Sequence, residues 1–308
     1  MSKISSDKNI KIAVLTGGDS SERSVALQST KGIIGPLRRR YNVKVFDFPK
    51  GTDTFLKEYK EYHLAIPILH GAGGEDGQVQ GLLNTLGVPF IFSDVEAHAL
   101  GMNKQFTKRI VEAAGLLTAK DKVLSIDQKF NYQRPVVIKP VAGGSSIGIN
   151  IAKSQLEANK FIKQALKYSK QVLVEDYLSG EEYTVPIIEH DKQVTSLPVI
   201  QIKTKRKFFD YKSKYDPKFV EEICPAPIKS ALAKELQSFA LQVHRLLGVR
   251  HLSRSDFIVI KNKVYFLEIN TIPGMTKESL LPKAIRAAGL DFTDILDQWI
   301  KSSIKPLK

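Results

Sequence analysis

The feature that most constrains this chain is a unit it uses twice in its first hundred residues: an apolar run, a glycine-bearing loop, then a helix-forming stretch. Lys11 to Leu15 is β-rich and ends at Gly17-Gly18, after which Ser20 and Ser21 can cap a helix continuing through Val25 and Leu27. His63 to Leu69 is a second apolar run, ending at His70 and GAGGEDG, with a helix expected over Val79 to Leu86. Tyr41 to Phe48 alternates like a strand, and Val88 to Phe92 reads as another short one. Strand–loop–helix units of this kind predict a parallel sheet with helices packed on it. Ligands then collect beyond the carboxyl ends of the strands, where the loops after Leu15 and Leu69 lie.

The rest of the chain is still α/β but less regular. Helices are expected over Asn103 to Ala114, Ser154 to Tyr168, Ile228 to Leu247 and Asp294 to Ile300. Strands are expected at Pro135 to Lys139, Val172 to Glu175, Tyr183 to Ile187 and Leu197 to Ile202. Phe257 to Ile260 and Val264 to Ile269 read as a hairpin turning at Lys261-Asn262-Lys263. With 308 residues the chain can bury a real core, and its length suggests two or three domains.

Composition removes several classes. A single cysteine, Cys224, excludes a disulfide framework and a cysteine zinc cluster. The first residues carry no long apolar core of a signal peptide, and no run of about 18 apolar residues occurs, so a cytoplasmic protein without a membrane partner is expected. The net charge is +14. Its densest basic runs, Arg38 to Arg40 and Lys203 to Lys207, are not interleaved with aromatics as in a single-strand groove, so no nucleic-acid partner is expected.

Four stretches carry chemistry. In IKPVAGGSSIGI a lysine ends a strand and a Gly/Ser loop follows, so backbone N–H groups and hydroxyls can approach phosphate oxygens; a flexible hairpin would have the same composition. In VLVEDYLSGEEYTV, Glu175 and Glu182 could accept from an amino group or from ribose hydroxyls, or be solvated surface acids. RSDF and FLEINTIPGMT place Asp256, Glu268 and Asn270 on neighbouring strands as three oxygen donors of the kind hard Mg²⁺ prefers; a polar edge strand is the alternative. Strand alternation puts Glu268 and Asn270 on one face, and Arg254 on the face of Asp256. Finally, LTGGDSSERSVAL and ILHGAGGEDGQVQG each place a carboxylate in a loop after a strand (Glu22; Glu75 with Asp76), with His70 either a site residue or an ordinary loop histidine.

Taken in order, GGDSSERSVAL, HGAGGEDGQVQGLL, MNKQFTK, VIKPVAGGSSIGI, VLVEDYLSGEEYTV, FFDYKSKY, RSDF and EINTIPGMTKESLLP resemble the D-alanine–D-alanine ligases of the ATP-grasp superfamily over essentially the whole chain. The resemblance implies an α/β ATP-grasp fold of three α/β domains, divided here as 1–100 (N-terminal, parallel sheet), 101–186 (central) and 187–308 (C-terminal, with metal site and lid), with ATP held between the last two. It implies ligation of two D-alanines through an acyl phosphate, with ATP and two Mg²⁺ or Mn²⁺ as cofactors, in a homodimer. Carried over residue by residue, Glu22 would anchor the first D-alanine's amino group and His70 lie near its carboxylate. Lys104 and Lys139 would bind ATP phosphates, with Ser146 of the glycine-rich loop beside them and Lys214 on the γ-phosphate. Glu175 and the backbone after it would meet adenine, and Glu182 the ribose. Ser145 would join Glu22 and Tyr215 in a hydrogen-bonded set. Arg254 and the Gly274 backbone would stabilise the tetrahedral adduct, Asp256, Glu268 and Asn270 would hold the metals, and Ser279 would receive the second D-alanine. The long segment from Lys203 to Cys224 is the expected lid.

Departures from the family pattern are Asn103, where an Asp is usual, and Ala142-Gly143-Gly144, where many relatives carry a charge. Other ligations, with D-serine or D-lactate as second substrate, are the rivals within the class; Tyr215 weighs against D-lactate, because relatives making that product tend to have Phe there. A catalytically dead nucleotide binder is the rival outside it, and the intact Asp256/Glu268/Asn270 set with Arg254 argues against that.

Overall fold

The computed structural model describes residues 7–144, 147–204 and 220–304. Its first sheet is three parallel strands in the order β2-β1-β3, formed by Lys11–Gly17 (β1), Asn42–Phe48 (β2) and Leu64–Leu69 (β3). Every residue of β3 is buried, as expected for a parallel strand covered on both faces. Helix α1 (Arg23–Arg40) connects β1 to β2, and α2 (Thr52–Glu58) connects β2 to β3. The α1 helix begins one step later than Ser20-Ser21 suggested: Glu22 is its N-cap, and the Ser20 hydroxyl instead joins the loop, accepting from Glu22 N. Helix α3 (Gln78–Leu86) follows β3. The strand expected over Val88 to Phe92 is reduced to one bridge, Ala65 to Phe90. Pro89 has no N–H to give a ladder, and Phe92 turns the chain away at φ 75°.

An antiparallel sheet and a larger, mostly antiparallel one follow. Helices α4 (Val95–Met102) and α5 (Lys104–Ala113) lead to β4 (Leu117–Thr118) and β5 (Asp121–Ser125). With β6 (Val136–Pro140), β7 (Asn150–Ala152) and β8 (Gln171–Asp176), β5 builds a four-stranded sheet in the order β5-β8-β6-β7. Helix α6 (Gln155–Ala165), capped by the Ser154 hydroxyl, covers it with a small apolar core of its own, including Leu124, Ile138, Ile162 and Val172.

Among the described residues the large sheet has seven strands: β9 (Glu181–His190), β10 (Gln193–Ser196), β11 (Ile200–Thr204), β12 (Val220–Ile223), β13 (Leu252–Ile260), β14 (Lys263–Asn270) and the short β4. Sheet membership therefore changes between Asp176 and Glu181, and the division expected at 186/187 falls inside β9. The β13–β14 hairpin turns at Lys261 and Asn262, both at positive φ, the geometry of a tight hairpin. Helix α7 (Ser230–Leu246) covers one face of this sheet. Helices α8 (Leu280–Ala287) and α9 (Phe292–Ser303) close the chain.

One apolar cluster runs continuously from the parallel sheet (Ile12, Val14, Ile66) through the large sheet (Ile188, Ile200, Leu252) to Leu281 and Trp299. Polar bonds reinforce this joint. The Phe92 N–H donates to His251 Nδ1 at 2.9 Å, Arg250 donates to the Phe92 carbonyl at 3.1 Å, and Trp299 Nε1 donates to the Glu189 carbonyl at 2.7 Å. Among the described residues no helix is long and apolar enough to cross a membrane.

Candidate active site

A cavity of about 500 Å³ opens between the four-stranded sheet and the large sheet, a size that suits a nucleotide. Apolar side chains line one part of it, among them Val137, Ile149, Ile151 and Leu267. Lys139, Glu175, Glu182, Arg254, Asp256 and Glu268 line the rest. These six sequence candidates, from β6, β8, β9, β13 and β14, are thus gathered on one surface.

The carboxylates reach the cavity through a local irregularity. On β14, Val264 and Phe266 point into the core, and strict alternation would send Glu268 after them. The ladder shifts register between Asp256 and Phe257: Asp256 pairs with Glu268, but Phe257 pairs with Phe266. Leu267 is the extra residue, so Leu267 and Glu268 both face the cavity and Ile269 takes the core position. Glu268 and Asn270 share a face by strand alternation, and the bulge turns that face away from the core.

Asp256 is held tightly. Arg254 grips it with a fork, Nε to Oδ1 and a terminal nitrogen to Oδ2, both 3.0 Å, and the Asn270 amide lies 3.3 Å from Oδ2. The Thr184 hydroxyl donates to Oδ1 at 2.5 Å. Glu268 lies opposite, 3.4 Å from the Lys104 ammonium. Two carboxylates in register, joined by an amide, form an all-oxygen donor set of the kind Mg²⁺ or Mn²⁺ takes alongside phosphate oxygens. Among the described residues no group of three or more His, Cys, Asp or Glu is placed to hold a metal ion.

Lys104 opens α5 and donates to the Gly143 carbonyl of the glycine-rich loop. Asn103 caps that helix, its side-chain oxygen accepting from Phe106 N at 3.1 Å. An aspartate would cap equally well, so Asn103 keeps the structural role and gives up only the charge. Glu175 lines the cavity in which a contact with adenine was expected. Both of its oxygens are taken by lysines, Lys108 on Oε1 and Lys139 on Oε2, each at 2.6 Å. Burial opposes its charge, but the two ammonium groups outweigh burial and hold the carboxyl below the usual carboxylate range. Its first task is therefore to fix lysines.

The other end of the site lies among the loops after β1 and β3 and the turn after β14. Glu22 is buried between two glycines: a Cβ on Gly71 would come within 2.6 Å of its carboxylate, and one on Gly144 within 2.7 Å. The glycine-rich loop thus rests on Glu22, where the set with Ser145 was expected. Ser20 ties the two N-terminal loops by donating to the His70 carbonyl at 2.6 Å. His70 is buried, with Nε2 3.2 Å from Ser29 Oγ and Nδ1 3.9 Å from Glu75. Glu75 accepts from Gly71 N at 2.8 Å; burial works against its charge, but the His70 ring and that amide hold it below its usual range. Ser29 also accepts from Met275 N at 3.3 Å, linking His70 to the turn that contains Gly274. Gly274 packs on Ser279, whose hydroxyl accepts from Thr276 N at 3.1 Å and stands at the start of α8.

Ser145, Ser146, Lys214 and Tyr215 lie outside the described residues, as does most of the expected lid. Sequence reasoning missed Lys108, Ser29 and Thr184. Lys108 follows Lys104 by one helical turn and Ser29 lies on the buried face of α1; both spacings were readable, though neither by itself distinguishes a site residue from a packed one.

The comparisons with known proteins agree with this geometry. Residues 98–301 match the family described as D-ala D-ala ligase C-terminus. The D-alanine–D-alanine ligase of Carboxydothermus hydrogenoformans is 38% identical, covering 94% of this chain and 96% of its own length. That of Clostridium beijerinckii is also 38% identical, over 96% and 99%. Among solved structures, the D-alanine–D-alanine ligase of Bacillus anthracis complexed with ATP superposes with a TM-score of 0.82 at 28% identity, covering 96% of this chain and 97% of that one. A D-Ala:D-Ser ligase from Enterococcus faecalis gives the same TM-score, 0.82, at 27% identity, covering 96% and 100%. On sequence, fold and the arrangement of its charged cavity, this chain belongs to the D-alanine–D-alanine ligase family.

Proposed function

We propose that the protein joins two D-alanines into D-alanyl-D-alanine at the expense of ATP, releasing ADP and phosphate, as a step in supplying a peptidoglycan precursor. The observation that carries this reading is the charged wall of the cavity: Arg254, Asp256, Glu268 and Lys139 on one surface, with Lys104 salt-bridged to Glu268, beside an apolar wall suited to a purine. A carboxylate is a poor electrophile. Transfer of the γ-phosphoryl group to the first D-alanine gives an acyl phosphate and ADP. The amine of the second D-alanine then attacks the carbonyl, and phosphate leaves as the peptide bond forms.

Within this reading, Lys104 and Lys139 hold phosphate oxygens, and Glu182 meets the ribose. Asp256, Glu268 and Asn270 hold Mg²⁺ or Mn²⁺, which when bound supplies positive charge to the transferring phosphoryl group. Arg254, oriented by its fork on Asp256, and the Gly274 backbone stabilise the tetrahedral adduct. Glu22 takes the first D-alanine's ammonium. His70 already spends Nε2 on Ser29, so its contribution is to shape the floor under that substrate and join it to the Met275 turn. Ser279 receives the second D-alanine's carboxylate. Ser145, Ser146, Lys214 and Tyr215 keep the roles the family resemblance gives them. We further assign the enzyme to the cytoplasm, as a homodimer without nucleic-acid or membrane partners. Its three-part organisation follows the sheets, with the second boundary at the turn between Asp176 and Glu181.

The test is the purified protein with ATP, Mg²⁺ and a panel of D- and L-amino acids, D-serine and D-lactate, scored for ADP and for product. D-alanyl-D-alanine as the main product is expected. ADP release with none of the panel, or a D-serine or D-lactate product in excess, would overturn the assignment.

A further inference from the structure

Lys108 stands one layer behind the cavity wall, 1% exposed. An ammonium has three N–H donors, and each has an acceptor here: the Ala119 carbonyl at 2.7 Å, Glu175 Oε1 at 2.6 Å and Asp121 Oδ1 at 3.0 Å. Two of those acceptors belong to residues that line the cavity, Ala119 and Glu175. Glu175 passes its other oxygen to Lys139, at 2.6 Å. Asp121, Lys108, Glu175 and Lys139 therefore form a row of alternating charge, two acids against two bases, nearly sealed from water. The outer end, Asp121, is also held by Arg109. The inner end, Lys139, lines the cavity.

We propose that Lys108 is a positioning residue for nucleotide binding: by sharing Glu175 with Lys139, it sets how much of the Lys139 ammonium is free for the phosphates of ATP. This rests on the ATP-dependent reading above. Remove Lys108, and the whole charge of Glu175 falls on Lys139 while the row gains a net negative charge, which repels a polyphosphate. Remove the charge of Asp121, and Lys108 leans harder on Glu175, Lys139 is released, and the row gains a net positive charge. Neither Lys108 nor Asp121 lines the nucleotide cavity, yet the two changes push ATP affinity in opposite directions. A purely structural role would have both changes weaken the protein and neither separate ATP from D-alanine.

The experiment measures the ATP dissociation constant by equilibrium dialysis with Mg²⁺, together with KM for ATP and for D-alanine, on the full chain. Lys108→Met is expected to weaken ATP binding about tenfold or more, the scale of a lost charged hydrogen bond, with KM for D-alanine within about twofold of wild type. Lys108→Arg, which keeps the charge, should recover most of that loss. Asp121→Asn should tighten ATP binding. If Lys108→Met leaves ATP binding unchanged, or shifts it in the same direction as Asp121→Asn, the proposal is wrong. Should Lys108→Met fail to fold, Asp121→Asn decides alone, and unchanged or weaker ATP binding in that variant overturns the proposal. A wild-type chain that binds ATP but forms no ADP with D-alanine would refute the ligase reading while leaving this comparison decisive; a wild type that binds no ATP would refute both.

Discussion

The two ends of the candidate site are built by different physics. At the nucleotide end the work is done by buried charge: Lys104 with Glu268, Lys108 and Lys139 with Glu175, and Arg254 with Asp256. At the amino-acid end it is done by shape and by hydroxyl hydrogen bonds: two glycines against Glu22, Ser20 on the His70 carbonyl, and Ser29 between His70 and Met275. A polyanion is recognised by a field, which tolerates small displacements but not a missing charge. A three-carbon amino acid is recognised by a boundary, which tolerates no extra carbon. Substitutions should therefore fail differently at the two ends.

The largest effect should come from the charged end. Glu268→Ala removes one hard oxygen ligand opposite Asp256 and leaves transferring phosphate charge uncompensated. Turnover should fall about a thousandfold or more while weak ATP binding survives. Near-normal turnover would sink the metal assignment. At the amino-acid end, Gly71→Ala adds a single carbon at φ +73°, 2.6 Å from the Glu22 carboxylate and 3.0 Å from Ser20 Oγ. Overpacking of this kind costs about 1–3 kcal/mol, so kcat/KM for D-alanine should drop roughly tenfold or more with KM for ATP unmoved. Equal loss for both substrates would erase the distinction drawn here.

A smaller effect is expected for Tyr215→Phe, measured as the ratio of depsipeptide to dipeptide with D-alanine and D-lactate together across a pH range. Gain of depsipeptide with unchanged thermal stability would mean that the hydroxyl selects the nucleophile; a constant ratio would reduce Tyr215 to packing.

The smallest effect concerns pH. Burial first, then neighbouring cations, pushes His251 down to about 4, and burial does the same to His98 and His244. The unfolded chain takes up these protons near pH 6.5, whereas the folded protein excludes them until about pH 4. Their contribution to stability is complete above pH 6.5 and is lost as pH falls through this window. His98 is buried and bonded to Thr271 at 2.7 Å, and His251, which accepts from Phe92 N, has a φ of +64°. Asparagine tolerates that backbone and keeps an acceptor. His251→Asn should therefore flatten the fall of Tm between pH 6.5 and 5 by calorimetry, and an unaltered slope would show that His251 is protonated in the native state.

The sequence carried the fold where local pattern and burial agree. The β1 and β3 strands, the β13–β14 hairpin and helices α5 to α7 were readable because periodicity, caps and turn residues point the same way. Helices α2, α4 and α8 and strands β4, β5, β10 and β12 were not, being short and set by tertiary contacts. The site shows the same division. That Asp256, Glu268 and Asn270 belong together follows from residue type and order. That they face a cavity depends on a bulge at Leu267, which has no signature in FLEIN. The role of Lys108 was hidden for another reason: a buried lysine is recognised by the partners around it, and Asp121 and Glu175 lie on other elements.

The saturated row behind the cavity also bears on how such a chain can change over generations. Stranding one of its charges costs several kcal/mol, comparable with the whole margin by which a domain stays folded. A lineage that altered Lys108 alone would pass through a poorly folded or poorly binding ancestor, whereas one that neutralised Lys108 and Asp121 together would keep the charge of the row balanced. These two positions should therefore be inherited as a single character, changing in the same branches or not at all. Lys139 and Glu175, which also answer to ATP, should stay fixed while the outer pair drifts.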